Sequence, residues 1–123
     1  MTNEDVVQAW AATPSRDAGS LRSSNGNCSA RDGKLYSYLT VIANRVAADV
    51  ALFSQNTYSV TTLGKHMNPA KRAFKRAGGR VIVVPHVDPV RGQHGENIKK
   101  LTETDPEMVS VYLEMFGLRS IAA

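Results

Sequence analysis

The sequence predicts a single α+β domain over residues 1–123, in which a small antiparallel sheet of four to six strands packs with three helices. Three observations predict this class. The central part of the chain is rich in β-branched and aromatic residues between turn signals. Apolar residues recur at helical spacing near both ends, and a short basic helical segment precedes the last strand. A chain of this length can bury a hydrophobic core without disulfides or a structural metal.

The N-terminal helix is predicted from its cap and its apolar residues. Thr2 and Asp5 have the spacing of a helix-capping pair. The helix should end before Pro14, because the residue that precedes a proline disfavours the helical backbone. Its buried side is predicted to consist of Val6, Val7, Trp10 and Ala11.

Residues 13–27 are rich in Ser, Gly and Asn and are predicted to form a flexible loop. The loop is either a solvated connection or an arm that holds Arg16 and Arg22. The single cysteine, Cys28, excludes an intramolecular disulfide and favours a reducing compartment. The polar start of the chain is unlike a signal peptide, and no apolar run has the length of a membrane span. We therefore expect a small soluble, cytoplasmic protein.

The residues from Asn27 to Thr62 predict an antiparallel meander of three to five strands. Asp32 and Gly33 form a favoured two-residue hairpin turn. Val46–Phe53 supplies a further apolar run, and Tyr58–Thr62 is predicted as another strand. The strand formers that follow the hairpin turn are Leu35, Tyr36, Tyr38, Thr40, Val41 and Ile42.

The next predicted element is a short basic helix. Asn68 is predicted as its N-cap and Pro69 as its first residue, and Gly78 lies where a left-handed C-terminal glycine belongs. An earlier start at Thr62 is the alternative, although Pro69 would then interrupt hydrogen bonding in the second turn. The apolar stripe of this helix is predicted to be Ala70, Phe74 and Ala77.

Three elements are predicted after the basic helix. Arg80–Val84 is predicted as a buried strand, because four β-branched residues follow one another. Pro85–Lys100 is polar, contains proline and glycine, and predicts a loop. A C-terminal helix should begin at the capping pattern Thr104–Glu107. Its apolar face is predicted to be Met108, Val111, Tyr112, Met115 and Phe116.

The residues from Asp32 to Ala43, with Tyr58–Thr62 and His66, resemble a family of small uncharacterised domains encoded in phage and related mobile or bacterial genomes. In that family, a strand pair with the pattern LYSY-x-T-x-IA precedes YS-x-TT and then a His that opens a short helix. The resemblance covers about Asn25 to Ala77. It implies the architecture and a viral or mobile-element origin, and the family has no settled activity. Pro69 and the long C-terminal extension depart from its pattern.

The positive charge of the chain is concentrated in one segment. The net charge is +4, and no Asp or Glu occurs from Val50 to Val87. Cations on one helical face can neutralise several phosphates without sequence specificity. Tyr58 and His66 could add contacts with bases or phosphate, and Tyr36 or Tyr38 could stack on bases. The six cations of this interval are Lys65, Lys71, Arg72, Lys75, Arg76 and Arg80.

Our main hypothesis is a non-enzymatic binding protein of phage or mobile-element type that engages nucleic acid through the Lys65–Arg80 face. The first alternative is a protein-binding module or inhibitor that docks the same face on an acidic host protein. Another interpretation treats these charges as the solvated face of an amphipathic helix and His66 as a structural histidine. The chain has no serine-nucleophile elbow and no phosphate-binding glycine loop, so we expect no cofactor and do not favour an enzyme.

A metal-dependent hydrolase is the remaining alternative. His86, Asp88, His94 and Glu96 supply nitrogen and oxygen donors suited to zinc or another transition metal. Their spacing matches no established metal motif. We interpret them as ordinary polar residues of a loop.

Overall fold

A computed structural model describes residues 1–12, 20–55 and 62–118 of the protein. These residues form a mixed six-stranded sheet with four α-helices, so the predicted α+β class is confirmed. In chain order the elements are α1 (Asn3–Ala12), β1 (Leu21–Arg22), β2 (Cys28–Arg31), β3 (Lys34–Ser37), β4 (Thr40–Ala47), β5 (Val50–Ser54), a π-helical turn (Thr62–Met67), α2 (Asn68–Arg76), β6 (Arg80–Val84), α3 (His94–Thr104) and α4 (Glu107–Met115).

The strands lie in the sheet in the same order as in the sequence. The first five are antiparallel neighbours, as predicted. The sixth pairs in parallel with β5, with Val50 opposite Arg80 and Ser54 opposite Val84. A parallel pair requires a crossover connection, and here that connection passes through α2. The sheet is therefore mixed rather than wholly antiparallel, because the chain returns through a helix instead of a hairpin.

The predicted cap and end of α1 are confirmed. The backbone N–H of Asp5 donates to Oγ1 of Thr2 at 3.1 Å, and the backbone N–H of Thr2 donates to Oδ2 of Asp5 at 2.8 Å. The hydrogen bond from the Thr2 backbone lowers the pKa of the Asp5 carboxyl. The helix ends at Ala12, and its four predicted apolar residues are buried.

The hairpin turn between β2 and β3 is also confirmed. Asp32 and Gly33 have φ values of 54° and 83°. Positive φ at both positions is what a two-residue type I′ turn requires. The turn fixes the register of the two strands, so that Arg31 lies opposite Lys34.

The segment predicted as a loop over 13–27 contains a short strand. Leu21 of β1 lies opposite Ala30 of β2, and Arg22 is exposed beside it. Residues 13–19, which include Arg16, lie outside the described part of the chain. The strand was missed because two residues give no periodicity of their own.

Asn68, predicted as the N-cap of α2, is instead its first residue, and the position before it is Met67. The π-helical turn leads into it without a break, and no side-chain cap is formed. The alternative start at Thr62 is therefore the observed one. Pro69 lacks an amide N–H, and the wider π-helical turn directly before it accommodates the irregular hydrogen bonding. The predicted strand Tyr58–Thr62 falls outside the described residues except for Thr62.

The C-terminal end of α2 follows the prediction more closely. Gly78 has a φ of 87°, and the N–H of Gly79 donates to the carbonyl of Phe74 at 2.9 Å. Gly79 lies against the Phe74 ring, where an added Cβ would be 2.3 Å from Cε2. The buried stripe consists of Ala70, Ala73 and Phe74. Ala77, predicted in that stripe, is exposed because it is the C-cap, beyond the last helical residue.

The strand β6 lies at an edge of the sheet rather than in its interior. Ile82 and Val84 are buried, whereas Val83 is 37% exposed. A run of β-branched residues is typical of a strand covered on both faces. In β6 the β-branched residues favour a strand, but the predicted burial of the whole strand is not found at this edge of the sheet.

Two C-terminal predictions need correction. The predicted polar loop Pro85–Lys100 contains the first part of α3, whose buried residues are Asn97 and Leu101. A helix with one buried aliphatic residue gives little apolar periodicity, which explains the error. The capping box predicted at Thr104–Glu107 does not form. Thr104 is the last residue of α3, and its Oγ1 donates back to the Lys100 carbonyl at 2.9 Å.

The sheet carries a hydrophobic cluster on each face. On one face, α1 and α2 pack on the sheet around Trp10, Phe53 and Phe74, with the Trp10 ring 5.7 Å from Phe53 and 5.5 Å from Phe74. On the other face, α3 and α4 cover Leu52 and Ile82 and bury Tyr112. Within the described segments, no helix has the length and apolar character needed to cross a bilayer.

Candidate nucleic-acid interface

The exposed cations of α2 and β6 form a surface that we call the basic face. It consists of Arg72, Lys75, Arg76 and Arg80, all of which are exposed. The opposite side of α2 is buried against the sheet. The backbone that carries these cations is therefore fixed by packing, and the N–H of Arg80 donates to the Asp49 carbonyl at 2.7 Å.

No cation of the basic face forms an ion pair with a described residue. The ion pairs among the described residues are Lys34–Asp88, at 2.9 Å, and His86–Glu96. Neither pair includes a cation of α2 or Arg80. Unpaired cations on a rigid element attract anions from solution.

Lys71 differs from the other cations of α2. It is half-buried, and its Nζ lies 5.9 Å from the centroid of the Phe53 ring. Burial, and then the nearby charge of Lys75, lower the pKa of the Lys71 amine. Lys71, predicted among the six cations of this face, is turned partly toward the sheet by the helix.

His66 lies inside the protein. Its side chain is fully buried, Nδ1 is 2.7 Å from Oγ of Ser37, and the ring centroid is 6.2 Å from that of Tyr38. The phosphate contact considered for His66 is therefore not available in this structure. The position of His66 agrees with the interpretation of this residue as a structural histidine, because the π-helical turn directs its side chain toward Ser37 of β3. Tyr58 and the side chain of Lys65 lie outside the described part of the chain.

A second surface occurs on the opposite face of β1, β2 and β3, where a groove of about 480 Å³ is open to solvent. We call it the open groove. Arg31 lies over the ring of Tyr36, with Cζ 5.8 Å from the ring centroid. The side chains that line it include Arg22, Ser29, Arg31, Tyr36, Tyr38 and Leu39.

Sequence reasoning identified the tyrosines of the open groove but missed Arg31. The signal was present in the Asp32–Gly33 turn, which fixes the register and places Arg31 and Ser29 on the same face as Tyr36. Arg22 had no such signal, because its strand is defined by pairing with β2 alone.

The four metal-ligand candidates are directed to different partners. His86 pairs with Glu96, Asp88 pairs with Lys34, and Nδ1 of His94 is 2.6 Å from the Tyr112 hydroxyl. Among the described residues, no three side chains of the ligand types gather in one place. The geometry therefore gives no support to the hydrolase alternative.

Several of these polar groups have a structural role instead. Asn97 is fully buried. Its Nδ2 donates to the His86 carbonyl at 2.8 Å and to the Tyr112 hydroxyl at 2.9 Å. Its Oδ1 accepts a hydrogen bond from the His86 N–H at 3.0 Å. This network joins α3 and α4 to the segment after β6. Burial raises the pKa of Tyr112, so its hydroxyl stays protonated at neutral pH.

Cys28 is placed as a structural residue. Its side chain is fully buried in β2, and burial raises the pKa of the thiol to about 11. A thiol of this kind is a poor nucleophile at neutral pH, because the thiolate is the reactive form.

The fold and its surfaces define a class: a small α+β protein with a mixed sheet and a basic helix packed on one face of it. The chain belongs to the family of unknown function DUF8033, which it matches over residues 12–83, more than half of its length. Comparisons with curated proteins and with solved structures gave no match. The matched region includes α2 and all of β1–β5, whereas α3 and α4 lie beyond it.

Proposed function

We propose that this protein binds nucleic acid through the basic face. The observation that carries the proposal is the set of four exposed cations on a packed element, none of them in an ion pair with a described residue. The chain from Val50 to Val87 also has no acid that could repel a polyanion. A non-enzymatic role agrees with this surface, which offers charge rather than a catalytic group.

The spacing of the cations supports contact with more than one phosphate. Arg72 and Arg76 are one helical turn apart, about 6 Å along the axis. Like charges at this spacing slightly destabilise a helix. An external polyanion would relieve that repulsion and release its own counterions.

The origin and location of the protein belong to the same proposal. The resemblance noted above implies a phage or mobile-element gene, and the single cysteine, Cys28, favours a reducing compartment. We infer that the protein acts in the cytoplasm of a host cell, where nucleic acid is accessible to it.

The test is fluorescence anisotropy with labelled DNA and RNA, single-stranded and duplex, at about 50 mM and 200 mM salt. Four phosphate contacts predict a logarithmic salt slope of about −2.8 for a single strand and about −3.6 for a duplex, which weakens binding roughly 50- and 150-fold between these concentrations. Arg72→Glu/Arg76→Glu should lose at least about tenfold in affinity at the lower salt. No binding at the lower salt would overturn the proposal.

A matched control separates the basic face from net charge. Arg91→Glu/Lys99→Glu makes the same charge change at two exposed positions outside the basic face. This variant should keep most of the affinity, and an equal loss in both variants would contradict the proposed site. Equal binding to polyglutamate would instead identify an acidic protein as the partner.

A further inference from the structure

The open groove lies on the part of the sheet that α3 and α4 do not cover. The apolar cluster beneath these helices draws on β4, β5 and β6, and among the described residues it includes none from β1, β2 or β3. The other face of β1–β3 packs on α1, as Ala30 and Leu35 show by their burial in the first cluster. The sheet therefore presents one open face at this end.

The residues of the open face form a row across three strands. Ser29 lies opposite both Arg22 of β1 and Tyr36 of β3. Directly paired residues share a face of the sheet, and adjacent strands are about 4.8 Å apart. Arg22 and Tyr36 are therefore about 10 Å apart across the sheet, with Arg31 against the Tyr36 ring.

The turn that ends β3 adds a second aromatic ring to the groove. Tyr38 is 50% exposed and has a φ of 57°, although it is not a glycine. Leu39 beside it is 96% exposed. A left-handed backbone at an aromatic residue costs roughly 1 kcal/mol or more. The ring is therefore held at the surface of the turn, where a ligand can reach it.

The charge of the groove indicates an anionic ligand. Arg22 and Arg31 are exposed, and neither belongs to an ion pair with a described residue. Lys34, farther along the same face, is already paired with Asp88. Asp32 in the hairpin turn is the acid next to Arg31 in the chain. Two unpaired arginines therefore lie beside two accessible aromatic rings.

We infer that the open groove binds unpaired bases, so that the nucleic acid of the proposed function is single-stranded. Tyr36 and Tyr38 supply ring faces on which bases stack, and Arg22 and Arg31 contact the phosphates between them. Aromatic rings beside cations are the common platform for single strands, because every base has a stacking face. A duplex keeps those faces inside its own stack. This inference rests on the proposed function, since it assigns the strand type that the same protein binds.

The groove and the basic face adjoin the same short loop. Ser23, Ser24 and Asn25 border a cavity of about 660 Å³ that Arg72 also lines, whereas Gly26 lines the groove beside Arg22. Glu4 also lines this cavity, so the cations of the two surfaces adjoin the loop with one acid between them. A single strand longer than the groove would therefore come within reach of Arg72 as well.

The experiment compares an oligothymidine of about 16 nucleotides with a duplex of the same length. This length is the upper end of the site sizes of known single-strand-binding folds. Tyr36→Leu should weaken single-strand binding by about 5- to 150-fold, as expected for the loss of one stacking ring. Binding of the duplex should change less than about twofold. Tyr36→Phe keeps the ring and should bind the single strand like the wild type.

Tyr38→Gly tests the second ring, and its folding is checked separately because the Tyr38 ring lies 6.2 Å from that of the buried His66. Glycine at the first position of this turn removes the backbone cost, so the variant should unfold at the same or a higher urea concentration. It should nevertheless bind the single strand at least about fivefold more weakly. Wild-type affinity for the single strand in both Tyr36→Leu and Tyr38→Gly would overturn the inference.

The two proposals fail in different ways. If the basic-face variant alone loses affinity, and loses it equally for single strand and duplex, the proposed function stands and the groove is not a base platform. If the wild type binds neither nucleic acid, the proposed function itself is wrong. Loss of single-strand binding in the groove variants, with duplex binding retained, supports the inference.

Discussion

The guanidinium of Arg45 donates a hydrogen bond to the carbonyl oxygen of Trp10, at 3.1 Å, and so closes the C-terminal end of α1. It also donates to the carbonyl of Ala11 and, through Nη1, to the carbonyl of Ala48 at 2.7 Å. The side chain is 3% exposed, and Cζ lies 4.7 Å from the centroid of the Phe74 ring. Burial lowers the pKa of Arg45, but arginine keeps its charge and all its N–H donors in proteins.

Replacing Arg45 should therefore destabilise the fold. Arg45→Met roughly keeps the volume but removes the Arg45 donor from three carbonyls, at a cost of about 3 kcal/mol in the free energy of unfolding. Urea unfolding followed by Trp10 fluorescence measures this. Arg80→Met, at an exposed position, should change the stability by less than about 0.5 kcal/mol. Similar stability in the two variants would contradict the capping role.

Gly79 should not tolerate a side chain. An added Cβ would lie 2.3 Å from the Phe74 ring, and Phe74 is almost fully buried. Gly79→Ala must displace this ring and should cost about 2 kcal/mol. Gly95→Ala is the matched control, because Gly95 is exposed in α3 with nothing within 4 Å of the added Cβ. It should leave stability unchanged or raise it by up to about 1 kcal/mol. Thermal unfolding of both variants decides the point.

The buried amide of Asn97 should matter more for stability than its size suggests. Asn97→Ala leaves the N–H and carbonyl of His86 without their partner and should cost about 2–4 kcal/mol. Tyr112→Phe removes one hydroxyl from the same network and should cost about 1 kcal/mol. A double-mutant cycle should give a coupling of at least about 0.5 kcal/mol. Additive effects would mean that the two side chains do not act as one network.

The stability of the protein should fall at alkaline pH because of Cys28. Burial raises the pKa of this thiol from 9.0 to about 11, so the folded state favours the protonated form. Its stabilising contribution is fully present below pH 9.0 and decreases as the pH rises toward 11. Relative to Cys28→Ala, the wild type should lose up to about 3 kcal/mol over this interval. Parallel pH profiles of the two proteins would contradict this account.

Lys71 and Lys75 should contribute unequally to nucleic-acid binding. Lys75 is exposed, whereas Lys71 is half-buried beside Phe53. Lys75→Met should weaken binding by about 2- to 5-fold at low salt and reduce the salt slope by nearly 1. Lys71→Met should change the affinity less than about twofold and raise the stability slightly, since a desolvated amine is removed. Anisotropy titrations at several salt concentrations measure both, and equal losses of affinity would contradict the difference in exposure.

Local signals account for the parts of the fold that the sequence predicted. The Thr2–Asp5 cap, the Asp32–Gly33 turn and the Gly78 terminus each depend on two to four neighbouring residues. Their backbone conformations are determined by sterics and short hydrogen bonds, which neighbouring residues reveal. The corresponding predictions were therefore correct to within a residue.

Long-range packing accounts for the errors. Whether Arg80–Val84 joins an edge or the interior depends on strands far away in the chain, and the parallel pairing depends on the crossover through α2. The burial of His66 follows from a π-helical turn that propensity does not predict. The basic face was predicted from composition, because charge density is a property of the sequence itself. The open groove was not predicted, because Arg22 and Tyr36 are brought to one face only by the pairing of β1, β2 and β3.

The second hydrophobic cluster spans the boundary of the family match. Leu52 and Ile82 lie within residues 12–83, but Leu101 and Tyr112, which cover them, come from the helices that follow. A domain limited to the matched residues would expose that sheet face to water, and each Å² of exposed apolar surface would cost roughly 25 cal/mol of stability. Such a fragment would need another segment or a second subunit to cover the face. In this protein the two C-terminal helices cover that face, so the sheet needs no other partner there.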